Sequence, residues 1–409
     1  STAGAFQANL LGNKDVFIVK FTSNGTRIWG TYVGGGPDNN EEVPAGIAYD
    51  PVSLCIYIAG YTQCTNFPTL LGHQMTHGGS YYDMFLCKFD ASGAEVWGTY
   101  YGGLEIEYGT AIATDAAGNV YILGTTTSSN AIATAGAFQN TYGGPPPIVS
   151  MVGDGFLAKF SGGGVLKWGT YIGGSNSEFA WSVAVDRNNN AYVYGDIEDG
   201  GPANYPATSC AYQTSFIGSE DQFLSTFDSK GNLICSGFLG VGNAASPNNE
   251  TTPYGGCIAV YGGYVYLTAS TQCNYPVTAN AYQQTCGGSW DAAIAQLCIT
   301  SCGLFKMTSN FSANKTTICK GDPVNFTLQS TSCSQVNTTY QWSFQGATPS
   351  TSTDDAPFSD PAQTADLLAK AAHNFTTRFE RTFGMGKAGL PPLQQAMARA
   401  AIQEPAVTA

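Results

Sequence analysis

Acidic side chains recur shortly after Tyr-x-Gly-Gly segments, as Asp38, Glu41 and Glu42, then Glu105 and Glu107, then Glu178, and in a decayed copy Glu250. Carboxylate oxygens gathered on one rim suit Ca2+, so Asp38, Glu41, Glu42, Glu105, Glu107 and Glu178 form the candidate metal set. Paired carboxylates at the right separation also hydrolyse glycosides. Seven acids scattered over four loops fit solvated loop acids better than either. Six loop aromatics, Tyr81, Tyr82, Phe179, Trp181, Tyr205 and Trp290, are the candidate ligand contacts. They offer flat faces for a ligand, although loop aromatics usually pack against their own loop. Nucleophilic catalysis finds no support. His73 and His77 stand four apart, but Gly78-Gly79 argues against a helix to present them together. No Gly-x-Ser-x-Gly, phosphate-cradling glycine loop or His-Glu-x-x-His occurs. The chain reads as a binding protein rather than an enzyme, with a glycan-directed hydrolase or lyase as the enzymatic alternative.

These residues need elements to position them, and composition says which. Glycine supplies 50 of 409 residues, aromatics 12% and charged residues only 11%. That mixture disfavours disorder, which needs charge and few aromatics. It also disfavours a helical bundle, because Gly weakens helices while Tyr, Phe and Val suit strands. A net charge of −13 without a basic stripe excludes nucleic-acid binding. No apolar run is long enough to span a membrane as a helix. The first residue is Ser1, so a processed, trimmed or partial chain is expected. The 12 cysteines lack metal-ligand spacing and only three His accompany them, which favours disulfides in an oxidising compartment. Cys273–Cys286 and Cys319–Cys333 are the first pairs to test.

The architecture comes from an internal repeat. Asp15-Val-Phe-Ile-Val-Lys-Phe21 recurs as Asp83-Met-Phe-Leu-Cys-Lys-Phe89 and Asp154-Gly-Phe-Leu-Ala-Lys-Phe160, then weakly from Asp221 and Asp291. The spacings are 68, 71, 67 and 70 residues. A second strand follows as Trp29-Gly-Thr-Tyr32, Trp97-Gly-Thr-Tyr100 and Trp168-Gly-Thr-Tyr171, and decays to Cys235-Ser-Gly-Phe238. A third ends at Asp50, Asp115 and Asp186, where an Asx turn explains the Asp. A fourth reads Cys55-Ile-Tyr-Ile-Ala-Gly60, Val120-Tyr-Ile-Leu-Gly124 and Ala191-Tyr-Val-Tyr-Gly195. Apolar residues on both strand faces require sheets sandwiched between neighbours, the pattern of a β-propeller of four-stranded blades. Trp29, Trp97 and Trp168 are then expected to pack between blades.

These runs, with Gly-Ala-Phe-Gln at 4–7 and 136–139, resemble the SBBP-type bacterial β-propeller repeat over residues 1–298. The resemblance implies a large secreted or cell-surface protein, and a location and architecture more than a chemistry. Residues 1–7 match the end of a unit, and 291–298 a first strand without three partners. The expectation is therefore a truncated propeller: four full repeats of about 69 residues here, seven blades in the parent by resemblance, and self-association through open ends.

Residues 299–355 resemble a partial PKD-type immunoglobulin-like sandwich, with alternating Val324, Phe326 and Leu328 and a core Trp342. Residues 356–409 hold 13 alanines and no Cys, Trp or Tyr. Asp360-Pro361 reads as a helix start, and Leu368, Ala371, Phe375 and Phe379 share a helical face. The tail is a helix pair, a disordered segment or sequence joined from elsewhere. The functional expectation is an adhesion or binding module that meets a polysaccharide or surface protein through its loops. Its alternative is a structural spacer or assembly subunit.

Overall fold

A computed structural model describes residues 1–299 except 37–39, 80, 146–152, 198–203, 210, 218–219, 240–255, 272–276, 279–280, 286 and 288–290. It also describes the strands at 305–307, 311–313, 325–331 and 337–343. All regular elements among the described residues are strands, and no helix there is long and apolar enough to cross a membrane.

The first sheet pairs only β1 (Val16–Phe21) with β2 (Arg27–Val33). The next blade is β3 (Glu42–Tyr49), β4 (Ile56–Thr62), β5 (Asp83–Phe89) and β6 (Glu95–Tyr101), in that order and antiparallel. A second repeats it with β7 (Glu107–Thr114), β8 (Val120–Thr126), β9 (Asp154–Phe160) and β10 (Leu166–Ile172). A third has β11 (Glu178–Val185), β12 (Ala191–Ile197), β13 (Asp221–Phe227) and β14 (Leu233–Phe238). The fourth has β15 (Cys257–Tyr261), β16 (Tyr264–Thr271), β17 (Asp291–Ile299) and β18 (Phe305–Met307). The β-propeller expectation holds.

The phase of the blades differs from the phase of the sequence repeat. Each blade takes its first two strands from one repeat and its last two from the next. Asp291–Ile299 is therefore not a lone strand: it lies between β16 and β18. The mismatch has a physical use, since each sequence repeat links two blades covalently.

Packing follows the apolar pattern. Every residue of β5, β8, β9 and β12 is buried, as strands covered on both faces require. Tyr57, Met84, Leu86, Trp97 and Tyr101 of one blade share a core with Val120, Ile122, Phe156 and Phe160 of the next. The leading strands β3, β7 and β11 pack side by side. Thr114 Oγ1 donates to Tyr49 O at 2.8 Å, and Thr110 Oγ1 to Ala180 O at 2.6 Å. These three strands form the inner edges of their blades.

Two repeated ties hold neighbouring blades. The indole N–H groups of Trp29, Trp97 and Trp168 donate to the carbonyls of Ala91, Gly162 and Ser229, at 3.0, 3.0 and 3.1 Å. Each ring covers a turn glycine, Gly93, Gly164 or Gly231, with φ of 88°, 82° and 86°. A Cβ there meets both left-handed strain and the indole face. The other tie is a buried cation: Lys88 Nζ reaches Asp50 Oδ2 and Gly162 O, both at 2.9 Å, and Lys159 Nζ lies 3.1 Å from Asp115 Oδ2.

The chain divides into two compact units, one of Ser1–Thr208 with Phe223–Gly237, the other of Ser209–Gln222 and the chain from Phe238. In the 299–355 region β19 (Phe311–Ala313), β20 (Asn325–Thr331) and β21 (Asn337–Ser343) form a three-stranded antiparallel sheet. Phe326 stands opposite Trp342 in its register. Val324 and the helical reading of 356–409 lie outside the described residues. So do Cys273, Cys286, Cys319 and Cys333. Cys55, Cys64, Cys87, Cys235 and Cys257 form no disulfide, and Cys298 is disulfide-bonded.

Candidate functional site

The acids expected on a solvent rim divide into two kinds. Glu42, Glu107 and Glu178 open the inner strands β3, β7 and β11, and all three are buried. Each faces an aspartate at the start of a strand of the preceding blade, Asp83 or Asp154, or just before one, Asp15. A glycine separates the two carboxyls. A Cβ on Gly102 would sit 2.4 Å from Glu107 Oε2 and 2.7 Å from Asp83 Oδ1. On Gly173 it would sit 2.6 Å from both Glu178 Oε2 and Asp154 Oδ1. The Gly-Ala-Phe-Gln motif completes this node. Gln139 Nε2 donates to Asp154 Oδ2 at 3.0 Å while Gly173 N donates to Gln139 Oε1 at 3.1 Å. Gln7 and Gln74 make the corresponding bonds.

Burial governs the protonation of these groups. It pushes Glu107 up to about 7, helped by the nearby Asp83 charge and opposed by bonds from Ser128, Thr126 and Gly103. Burial likewise pushes Asp154 up to about 7 and Glu178 well above the usual range, where the Asp154 charge adds to it. Glu42 and Asp83 are raised for the same first reason. Glu42 Oε2, Asp83 Oδ1 and Asp154 Oδ1 accept no hydrogen bond. Two buried carboxyls facing one glycine do not both ionise cheaply, and Glu107, Asp154 and Glu178 keep their protons to higher pH than exposed carboxyls do.

The candidate metal set is therefore not brought together. Glu41 pairs with Lys14 at the surface, Glu105 is exposed, and Asp38 and Glu250 lie outside the described residues. Among the described residues no three His, Cys, Asp or Glu side chains gather to hold a metal ion.

Aromatic side chains do gather. The rings of Tyr61, Tyr82 and Tyr108 form a triangle with centroid separations of 5.2, 5.2 and 5.4 Å. Tyr81 adds a fourth ring 6.0 Å from Tyr82 and is 55% exposed. Tyr61 comes from β4, Tyr108 from the inner strand β7, and Tyr81-Tyr82 from the approach to β5, so the cluster bridges two blades. The three triangle rings are half-buried. The Tyr82 phenol is raised by burial and by the Glu41 carboxylate beside it. Two of the four were not candidates in the sequence, because Tyr61 and Tyr108 sit inside strands. Their signal was departure from the repeat, clear only for Tyr61, which stands where other copies carry Thr125 and Asp196; at the position of Tyr108 the other copies carry Val43 and Phe179.

Phe179 and Trp181 stack at 5.2 Å with planes 9° apart, and Trp181 Nε1 donates to Asp196 Oδ1. They stand two apart on β11, both half-buried. Tyr205 is not offered to solvent. It is 6% exposed, its ring lies 5.3 Å from that of Phe223, and its hydroxyl bonds Ser225 Oγ at 2.9 Å. Trp290 lies outside the described residues.

The SBBP family, described as a β-propeller repeat, matches residues 96–130. No curated protein matches the chain. Among solved structures, a phage phi92 endosialidase is 9% identical with a TM-score of 0.34, covering 78% of this chain. A NanB sialidase variant from Streptococcus pneumoniae is 8% identical with a TM-score of 0.35, covering 75% of this chain. The chain spans 56% of each of those two proteins. The polysaccharide lyase Uly1 is 9% identical with a TM-score of 0.31, covering 77% of this chain and 81% of its own.

Proposed function

We propose that this chain is a β-propeller binding module for polysaccharide, and that the four-tyrosine cluster is its sugar contact. The observation that carries the reading is the bridge of Tyr61, Tyr81, Tyr82 and Tyr108 across two blades, with the Tyr81 ring more than half exposed to solvent. Tyrosine suits a sugar, with an apolar face for the ring and a hydroxyl for hydrogen bonds. The blades fix the rings before binding, so little ordering is needed. The acid pairs are left out of the site because they are sealed between blades. A secreted or cell-surface location belongs to the same proposal, supported by the repeat resemblance.

The test uses the repeat's own residues, which this scaffold already accommodates. Tyr61→Thr with Tyr108→Val installs the residues of equivalent positions, and Tyr81→Ala removes the exposed ring. Affinity electrophoresis against a panel of neutral polysaccharides should show retarded wild type. The triple variant should bind at least about tenfold more weakly, at about 0.5 kcal/mol or more for each of the three rings. Equal retardation of both proteins in every gel would remove the cluster from the site.

One observation favours assembly as a second role. Phe17, Phe21 and Ile28 on the two-stranded β1–β2 sheet are 50%, 56% and 48% exposed. Apolar exposure of this kind promotes association. Light scattering across a dilution series should show a mass that rises with concentration, and Phe17→Thr with Phe21→Thr should hold the protein at its dilute mass.

A further inference from the structure

The structure assigns a second binding site to the groove beside Trp168, and we propose that it takes an anionic sugar residue bearing carboxylate or sulfate. The groove has a volume of about 520 Å³ and runs between two blades. Lys159, Lys167 and Lys230 line it, with Trp168, Asn119 and Thr134. Three of the chain's 16 basic residues thus meet in one groove of a protein with net charge −13.

The scaffold does not require two of these lysines. Lys159 belongs to the repeat and is committed to Asp115 at 3.1 Å and to the Tyr121 hydroxyl at 2.6 Å. Lys167 and Lys230 do neither. At the position of Lys167 the other repeats carry Ile28, Val96 and Ile234, and at that of Lys230 they carry Asn24, Ser92 and Gly163. Both lysines are exposed, and neither joins an ion pair among the described residues. Asp228, next to Lys230, accepts from the backbone N–H groups of Lys230 and Asn232 and from Asn232 Nδ2; burial works against its charge, but these bonds and the nearby Lys230 charge outweigh it, without an ion pair forming. The strand and turn that carry Lys167 and Lys230 are held against each other by the bond from Trp168 to Ser229 at 3.1 Å. Two cations absent from every other repeat therefore converge on one preformed cleft, from two different blades.

Ammonium groups act as point charges and accept carboxylate or sulfate alike. Thr134 and Asn119 supply polar contacts for the sugar body, and the groove's volume is that of a small-ligand pocket. The inference rests on the polysaccharide reading above, but places charge selection at a different site from the tyrosine cluster.

The test is Lys167→Ile with Lys230→Ser, which restores residues that other repeats carry and is expected to fold; circular dichroism and melting check that it does. Binding of polygalacturonate, heparin and neutral dextran is measured at about 0.15 M salt, where the screening length of about 8 Å mutes repulsion by the rest of the surface. Wild type should bind at least one of the two polyanions, the one bound revealing whether carboxylate or sulfate is preferred. The double variant should bind it at least about tenfold more weakly, and added salt should weaken wild type more than the variant. Equal binding of a polyanion by both proteins overturns the groove and leaves the polysaccharide reading standing. Binding of neutral glycans alone does the same, and binding of no glycan at all overturns both.

Discussion

Raising the pH from 5 to 8 should lower the melting temperature of this protein, on the order of 10 °C. Glu107 and Asp154 ionise at about 7 in the folded chain, against usual values of 4.5 and 3.8. Asp221 also ionises at about 7, and Asp83 and Glu178 are raised. Between the unfolded and folded values the native state holds more protons than the unfolded chain, so stability falls as pH rises. The contribution is whole below about pH 4 and is lost through about pH 7. For Glu107, fully buried, the loss on ionisation is about 3 kcal/mol, and a chain of this length shifts by roughly 1–2 °C per kcal/mol. Other carboxyls act in the opposite direction. Burial works against the Asp50 charge, but Lys88, Ser53 and backbone N–H groups outweigh it and hold the carboxyl below its usual range. Asp115 is lowered similarly by Asn119 and Lys159 against its burial. These groups lose their contribution only as the pH falls below about 4. Stability should therefore peak near pH 4–5. Calorimetry at half-unit steps measures the profile, and Glu107→Gln should flatten it, since the amide oxygen still accepts from Gly103 N while its NH2 group can donate to Thr126 Oγ1, with no charge to expel. A melting temperature that rises between pH 5 and 8 would refute the raised ionisation of these buried carboxyls.

The residues that misled the sequence reading did so for one geometric reason. Spacing located Glu42, Glu107 and Glu178 correctly within the repeat, as it located the tryptophans. It could not say that the blade crosses the repeat boundary, which turns the first residue of each inner strand towards an aspartate of the preceding blade. The Asx reading of Asp115 was legible, and its carboxylate does accept from the N–H groups of Ala117 and Asn119. Its second role, as partner of Lys159, needs a register across strands 44 residues apart. Tyr61 and Tyr108 were hidden differently. A tyrosine in a strand reads as core until the structure shows that its end of the strand opens to solvent. Only comparison between repeats carried that information, clearly for Tyr61 alone, and it also separates Lys167 and Lys230 from the lysines of the scaffold.

The other large effect expected is at the buried cation. Lys88→Met should cost about 3–5 kcal/mol, because it strands a carboxylate rather than merely deleting a contact. Lys88 is 5% exposed and Asp50 1%. Among the described residues the ammonium is the charged partner of Asp50 Oδ2, whose other contacts there are the hydroxyls of Ser53 and of Tyr57 at 3.2 Å. The same ammonium lies 5.0 Å over the Tyr57 ring and ties its blade to the next through Gly162 O. The repeat supplies its own control. The position of Lys88 is Lys159 one blade further on and Thr226 in the blade after that, where Asp186 relies on Asn190 at 2.9 Å and the Tyr192 hydroxyl at 3.1 Å. Asp186 is only half-buried, so water does for it what Lys88 does for Asp50. The requirement for lysine thus follows burial of the aspartate, not the repeat as such. Adding Asp50→Asn to Lys88→Met removes the stranded charge and should recover most of the lost stability, giving a strong coupling in a double-mutant cycle. Denaturant titration of the four proteins measures it. A single-variant cost below about 1 kcal/mol, or additive losses in the double variant, would show that the latch is ornamental and that the tryptophan ties alone hold the blades in register.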